Sequence, residues 1–296
     1  MDILQNVGNT PLIKIENIYG NKYGNVFVKL EEFNAGGSIK SRVGLQMVKD
    51  AEREGILKKG MHLIEATGGN TGLGMALAAA LKGYRLTLII PDNFSHEKIS
   101  TLNYYGANII LSDHTSGPGS HVRRLQEILK EENDYIHLDQ FTNLSNPAAH
   151  YNTTGREILL QTKGDIAGFI CSIGSGGTIT GVGTRLKEYN NSVKIATVQP
   201  EGCDILRGVF KPHPIEATAI GFIPDFVRLD LIEGVIDVDF EEVQEIRKYI
   251  CKTAGIFVGL SSGANILAAL KWSKDFKHKD NIITVAPDSG RSYLFK

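Results

Sequence analysis

The pattern of hydrophobic and polar positions falls into short apolar runs separated by longer stretches of helical spacing. Asn25–Leu30 (NVFVKL), His62–Ala66 (HLIEA), 85–90 (RLTLII) and 108–111 (NIIL) have the length and β-branched content of buried strands. Between them, 43–55, 96–105 and 119–133 carry apolar residues at helical spacing, and 72–82 is rich in Ala and Leu. This alternation predicts a parallel sheet covered by helices. A second series follows, with strands at 168–173, 194–199 and Asn281–Ala286 and helices at 178–189, Phe240–Ala254 and 263–276. Residues 201–235 are less periodic and proline-bearing, and read as an irregular wrap near a site.

Composition narrows the function classes. The chain has 296 residues, room for two lobes with substantial cores. A formal net charge of -1 gives no field aimed at nucleic acid, a membrane surface or a polyanion. The three cysteines, Cys171, Cys203 and Cys251, lack CxxC spacing and argue against a disulfide framework or a metal site. Cys171 lies in an apolar run and reads as core. The first residues, MDILQNVGNTPL, have neither a basic start nor a long apolar stretch, and the chain reads as cytoplasmic.

Three strand-to-helix junctions carry candidate chemistry. In Asn34-Ala35-Gly36-Gly37-Ser38-Ile39-Lys40 two glycines precede a lysine where a helical pattern starts. The glycines let backbone approach a ligand, although a tight turn with a solvated lysine explains this segment at least as well. Thr67-Gly68-Gly69-Asn70-Thr71-Gly72 links the strand HLIEA to an Ala-rich helix, offering amides and hydroxyls to a carboxylate or phosphate. Asn70 or Thr71 as a plain N-cap accounts for the same residues. Gly174-Ser175-Gly176-Gly177-Thr178 suggests a nest of N–H groups around a phosphate. It matches neither a P-loop nor a dinucleotide fingerprint. Two anion-binding corners and a lysine suit pyridoxal 5'-phosphate (PLP) acting on an amino acid.

With these residues in place, the sequence resembles the cysteine synthase (O-acetylserine sulfhydrylase) and cystathionine β-synthase family of PLP enzymes over essentially its whole length. GNTPL resembles the family's opening motif, NAGGSIKSR its NPGGSxKDR, and EATGGNTGLGMA its EPTSGNTGxGLA. QFTNLSNPAAHYNTTGREI, GSGGTITGVG, GFIP, AGIFVGLSSGA and PDSGRSY match later markers in order. The resemblance implies an α/β, two-lobed, tryptophan-synthase-β-like fold, each lobe a mostly parallel twisted sheet flanked by helices. It implies a smaller mobile substrate-binding lobe over 40–145 and a larger lobe from 1–39 plus 146–296, with PLP between them, in a homodimer.

Carried over by position, Lys40 is the Schiff-base lysine and the acid and base at Cα. Asn70 faces the cofactor's 3-hydroxyl. Thr67, Gly68, Asn70, Thr71 and Gln140 grip the substrate carboxylate. Gly174, Ser175, Gly176, Gly177 and Thr178 hold the phosphate, and Ser289 faces the pyridine nitrogen. Asp288, its neighbour, is expected to point elsewhere. The implied reaction is β-replacement or β-elimination on a small sulfur- or O-activated amino acid through an α-aminoacrylate, in cysteine metabolism.

Departures from the family pattern bear on specificity. Gly68 stands where the family has Ser, Ser41 where it has Asp, and Ala217-Thr218-Ala219-Ile220-Gly221 where it has GIGAG. Asp225 follows GFIP and is a candidate general base, with a capping or ion-paired aspartate as the bland alternative. These changes favour a second reading, an L-cysteine lyase that releases hydrogen sulfide and adds water or a thiol. A third is a non-catalytic binding or regulatory protein on this fold, against which the intact Lys40 and phosphate loop weigh.

Overall fold

A computed structural model describes residues 3–294 apart from Gly68 and Pro118, and for Glu97 the backbone only. The described strands are β1 Leu12–Ile15, β2 Asn25–Leu30, β3 His62–Ala66, β4 Arg85–Pro91, β5 Asn108–Ser112, β6 Tyr135–His137, β7 Gly168–Ser172, β8 Lys194–Pro200, β9 Gly234–Val238 and β10 Asn281–Ala286. The helices are α1 Lys40–Arg53, α2 Asn70–Lys82, α3 His96–Tyr104, α4 Ser120–Glu131, α5 Ser145–Ala149, α6 Arg156–Thr162, α7 Gly177–Tyr189, α8 Phe240–Ala254 and α9 Leu260–Trp272. A π-helical stretch, His150–Gly155, joins α5 to α6. The chain divides into two compact units, 3–7 with Asn34–Ser145, and Gly8–Phe33 with Asn146–Leu294.

The first unit holds a four-stranded sheet, ordered β5-β4-β3-β6 and parallel throughout. Its strands are apolar on both faces, as a sheet covered on both sides requires. On β3, Leu63 joins Met47 of α1 and Met75 of α2 in one buried cluster. Ile64 and Ala66 join Leu125 and Ile128 of α4 in another.

The second unit holds a six-stranded sheet, ordered β1-β2-β10-β7-β8-β9, parallel except for the β1–β2 pair. Val26, Val28, Ile170 and Ala196 pack against α8 and α9 residues such as Ile246 and Ile266. Phe169, Cys171, Ile195 and Ile283 pack against Ile179, Val182 and Leu186 of α7. Cys171 is therefore core, and burial pushes its thiol far up, away from any nucleophilic role.

The α/β expectation of two mostly parallel sheets flanked by helices holds, and the assigned strands lie within a residue of their expected ends. Three helices begin two or three residues earlier than their spacing indicates: α1 starts at Lys40 itself, α2 at Asn70 and α9 at Leu260. Most of the 201–235 wrap is irregular as expected, but its last residues enter β9. Among the described residues no helix is long and apolar enough to cross a membrane.

Candidate active site

In the first unit, Lys40 and Asn70 open two helices that are packed backbone to backbone. Gly36 and Gly37 adopt φ of 92° and 76°, left-handed values that favour glycine. They turn the chain so that Gly37 N–H reaches the Asn34 carbonyl at 2.8 Å. Ser38 Oγ accepts from the Lys40 amide at 3.3 Å and leads into α1. One turn inside each helix, Gly44 and Gly74 face each other. A methyl on Gly44 would strike the Gly74 backbone, and one on Gly74 would strike the Lys40 carbonyl. Small residues at this crossing bring the first turn of α1 close to α2, the helix that Asn70 starts. Burial of the Lys40 ammonium pushes it down to about 8, so a minority share, far above that of an exposed lysine, is neutral amine near physiological pH.

The start of α2 is built to receive an anion. No side chain caps it, so neither Asn70 nor Thr71 acts as a plain N-cap. Its first amides point outward without intrahelical partners. Thr67 and Thr71 are buried, and Thr71 Oγ1 donates to Gln140 Oε1 at 2.8 Å. Thr67 Oγ1 accepts from the Gly69 amide at 3.2 Å. Thr67, Asn70, Thr71 and Gln140 thus belong to one corner. Gly68 lies outside the described residues.

The second unit contains the other corner. Gly174 follows β7, and Gly177 opens α7, again without a side-chain cap. The bare backbone is enforced on every side. Methyls on Gly174, Gly176 and Gly177 would strike the Ala217 carbonyl, Val227 and Asn146 respectively. Gly176 also takes φ of 79°. Two residues that the sequence reading gave no role shape this corner: Asn146 Nδ2 donates to Ser175 Oγ at 3.1 Å, and buried His150 lies 3.3 Å from Thr178 Oγ1. Their signal was present, since both fall in the motif SNPAAH, but only the fold brings that motif to the loop.

The remaining candidates sit in the same unit. Ser289 bridges to Val258 in antiparallel fashion, and its hydroxyl donates to the Phe257 carbonyl at 3.3 Å. Asp288 accepts from Tyr293 Oη at 2.7 Å and lies beside Ser262. Asp225 is exposed on the turn closed by Val227 N–H to the Pro224 carbonyl. Among the described residues it neither caps a helix nor pairs with a cation, so the bland alternative finds no support. Ala217 and Ala219 take φ of 59° and 48°, glycine-like values. Thr218 and Ala219 are buried.

An uncapped glycine corner, a second uncapped helix start with hydroxyls, and a partly neutral lysine fit a phosphate-bearing aldehyde cofactor and a carboxylate substrate. Comparison with known proteins agrees: the model of the pyridoxal-phosphate dependent enzymes matches residues 3–288. The chain belongs to this family, in its cysteine synthase/cystathionine β-synthase branch. It is 37% identical to a Staphylococcus aureus cysteine synthase, over 99% of this chain and 95% of that one. A hydrogen sulfide-producing enzyme from Fusobacterium nucleatum superposes with a TM-score of 0.93 at 37% identity, covering 99% and 97% of the two chains. An O-acetylserine dependent cystathionine β-synthase from Helicobacter pylori superposes with a TM-score of 0.93 at 32% identity, covering 100% and 97%. PLP is therefore the cofactor, and the chemistry is cysteine synthase-like β-replacement.

Proposed function

We propose that the chain exchanges the β-substituent of O-acetylserine, or a closely similar amino acid, for sulfide or a thiol. Bound PLP supplies a carbonyl that condenses with amines and a ring that withdraws electrons from the substrate's Cα. Lys40 Nζ holds the cofactor, then takes the proton from Cα and later returns it. Thr67, Asn70, Thr71 and Gln140 bind the substrate carboxylate through hydroxyl and amide donors. Gly174 to Thr178 hold the phosphate through the first amides of α7. Ser289 faces the ring nitrogen with a hydroxyl rather than a carboxylate. A hydroxyl there would not hold a full proton on that nitrogen, which would favour loss of the β-group over transamination. The Cβ–O bond breaks, acetate leaves with the electron pair, and sulfur bonds to Cβ. Lys40, with its ammonium pushed down toward neutrality at the start of α1, is the observation that carries this reading.

Two measurements test it. The purified protein is expected to show the visible absorption band of bound PLP, and Lys40→Ala to remove it. Covalent uptake of PLP by the apo-protein needs the neutral amine. Its rate is expected to rise with pH and level off above about 8. A rate still climbing near pH 10, or a Lys40→Ala protein with an unaltered band, overturns the assignment.

A second reading is favoured by the uncommitted carboxylate of Asp225 and by the similarity to the Fusobacterium nucleatum hydrogen sulfide-producing enzyme. Here L-cysteine is the substrate. The Cβ–S bond breaks, hydrosulfide leaves, and water or a thiol adds at Cβ while Asp225 accepts its proton. The Staphylococcus aureus cysteine synthase is equally similar, so identity does not choose between the two. Sulfide released from L-cysteine without added thiol favours the second reading. Unchanged turnover in Asp225→Asn removes the general base from it.

A further inference from the structure

A buried pair in the first unit belongs to the frame behind the carboxylate corner. β6 is an edge strand, and its ladder with β3 ends where Ile64 stands opposite His137. The next link is made by side chains: His137 Nε2 lies 3.0 Å from Glu65 Oε1. Beyond it comes the Thr71–Gln140 bond. Only two residues lie between His137 and Gln140, and the turn there is braced. Asp139 takes φ of 49° and accepts from the Phe141 amide at 3.0 Å and from Thr142 Oγ1 at 2.8 Å.

Glu65 needs a counter-charge. It is 3% exposed, and its Oε1 also accepts from the Ala66 amide at 3.2 Å. Its Oε2 is buried with no hydrogen-bond partner among the described residues. A carboxylate so enclosed is costly without a cation beside it. The helices packed on this sheet do not provide one from their paired charges. α1 turns Met47 toward the sheet, pairs Asp50 with Arg53 and carries a buried Arg42, while its Lys49 is exposed. α2 presents Met75, and its Lys82 pairs with Glu52. α4 presents Leu125 and Ile128, with Arg124 on Glu127 at the surface. The charged groups acting on His137 are Glu65 and Asp139.

We propose that Glu65 and His137 are positioning residues, an imidazolium–carboxylate pair that ties the ends of β3 and β6 together and so sets Thr71 against Gln140. The inference rests on reading that corner as the substrate carboxylate site. Burial alone pushes His137 down, but the hydrogen bond and charge of Glu65, with Asp139, outweigh it and hold the imidazole above its ordinary value. The tie is therefore complete below about pH 6.5 and is lost as pH rises through the raised value.

The experiment compares wild type with His137→Gln and Glu65→Gln, each loaded with PLP. Affinity for O-acetylserine and for L-cysteine is read from the change in the cofactor band across pH 5.5–9, and KM and kcat are measured alongside. Wild type is expected to bind the amino acid most tightly where His137 is charged, with an inflection at the imidazole value obtained by NMR. In both variants that inflection disappears, and KM at low pH rises about tenfold, the scale of one charge-assisted hydrogen bond, with kcat little changed. Glu65→Gln is also expected to lower the NMR value of His137, a readout that needs no turnover. Identical KM profiles in wild type and both variants, or an imidazole value unmoved by Glu65→Gln, overturn the proposal. A wild-type protein that takes up PLP but shows no affinity for any α-carboxylate overturns the underlying reading instead.

Discussion

At the scale of single residues, the site was legible wherever a residue's chemistry depends on its neighbours in sequence. Lys40, Asn70 and the glycines at 174, 176 and 177 could be singled out because each ends a strand-to-helix junction. Their geometry adds the reason for those types: collisions for any added methyl, and helix starts with no cap. Ala217 and Ala219 show what sequence could not reveal. Their departure from a glycine-rich pattern was visible, but not that both keep the glycine conformation. An L-residue in that region costs about 1–2 kcal/mol. Ala219 recovers part of this by burying its methyl in the cluster with Ile173, Cys203 and Val227. Ala217 is exposed and recovers nothing. Replacing Ala217 with glycine relieves the strain and gives back about 0.4–1 kcal/mol of unfolded-state entropy. Ala217→Gly is therefore expected to raise stability by about 0.5 kcal/mol, read as a higher denaturant midpoint at constant slope. A midpoint lowered by the usual cost of an alanine-to-glycine change would show that the left-handed backbone carries no strain there.

At the scale of elements, the long periodic helices and buried strands were readable, and the failures have separate causes. β1 and β6 are too short, at 4 and 3 residues, for a period to show. The α5–α6 run from Ser145 to Thr162 was not assigned because Pro147, Gly155 and a cluster of threonines give it poor intrinsic helicity. Packing overrides that tendency. A methyl on Gly181 of α7 would strike the Pro147 carbonyl, and one on Gly155 would sit 3.0 Å from Arg185 Cβ, so the run lies hard against α7. The α1–α2 crossing uses the same device in the first unit. Gly74→Ala would drive its methyl into the Lys40 carbonyl, where backbone cannot yield as a flexible side chain would. Overpacking of this kind costs about 1–3 kcal/mol. The variant is expected to lose that much stability and, in the surviving folded protein, to take up PLP through Lys40 more slowly. Gly83→Ala is the control, because a methyl there meets open space, although its φ of 76° adds strain of its own. Equal PLP uptake rates for Gly74→Ala and wild type would show that the crossing does not set Lys40.

At the scale of the whole chain, each unit has its own sheet and buried clusters, and the candidate groups divide between them. Lys40, Thr67, Asn70, Thr71 and Gln140 fall in the first, while Asn146, His150 and the 174–178 corner fall in the second. That division allows phosphate recognition to be measured apart from the lysine. A ligand that binds only folded protein stabilises it by about 2.7 kcal/mol at one hundred times its dissociation constant. Inorganic phosphate alone should then raise the melting temperature of the apo-protein, and Lys40→Ala should show the same rise. PLP should raise wild type further than Lys40→Ala, because only wild type adds the covalent link. Phosphate also stabilises folded proteins without binding, by exclusion from their surface. The double variant Ser175→Ala, Thr178→Val separates the two effects. It removes the hydroxyls that meet Asn146 and His150 and leaves the glycines in place. A corner in which those hydroxyls assist the amides loses part of its phosphate-dependent rise in that variant, whereas surface exclusion leaves the rise unchanged. If the rise survives the double substitution intact, the hydroxyls of Ser175 and Thr178 do not hold the phosphate, and their part in the assignment of residues 174–178 falls.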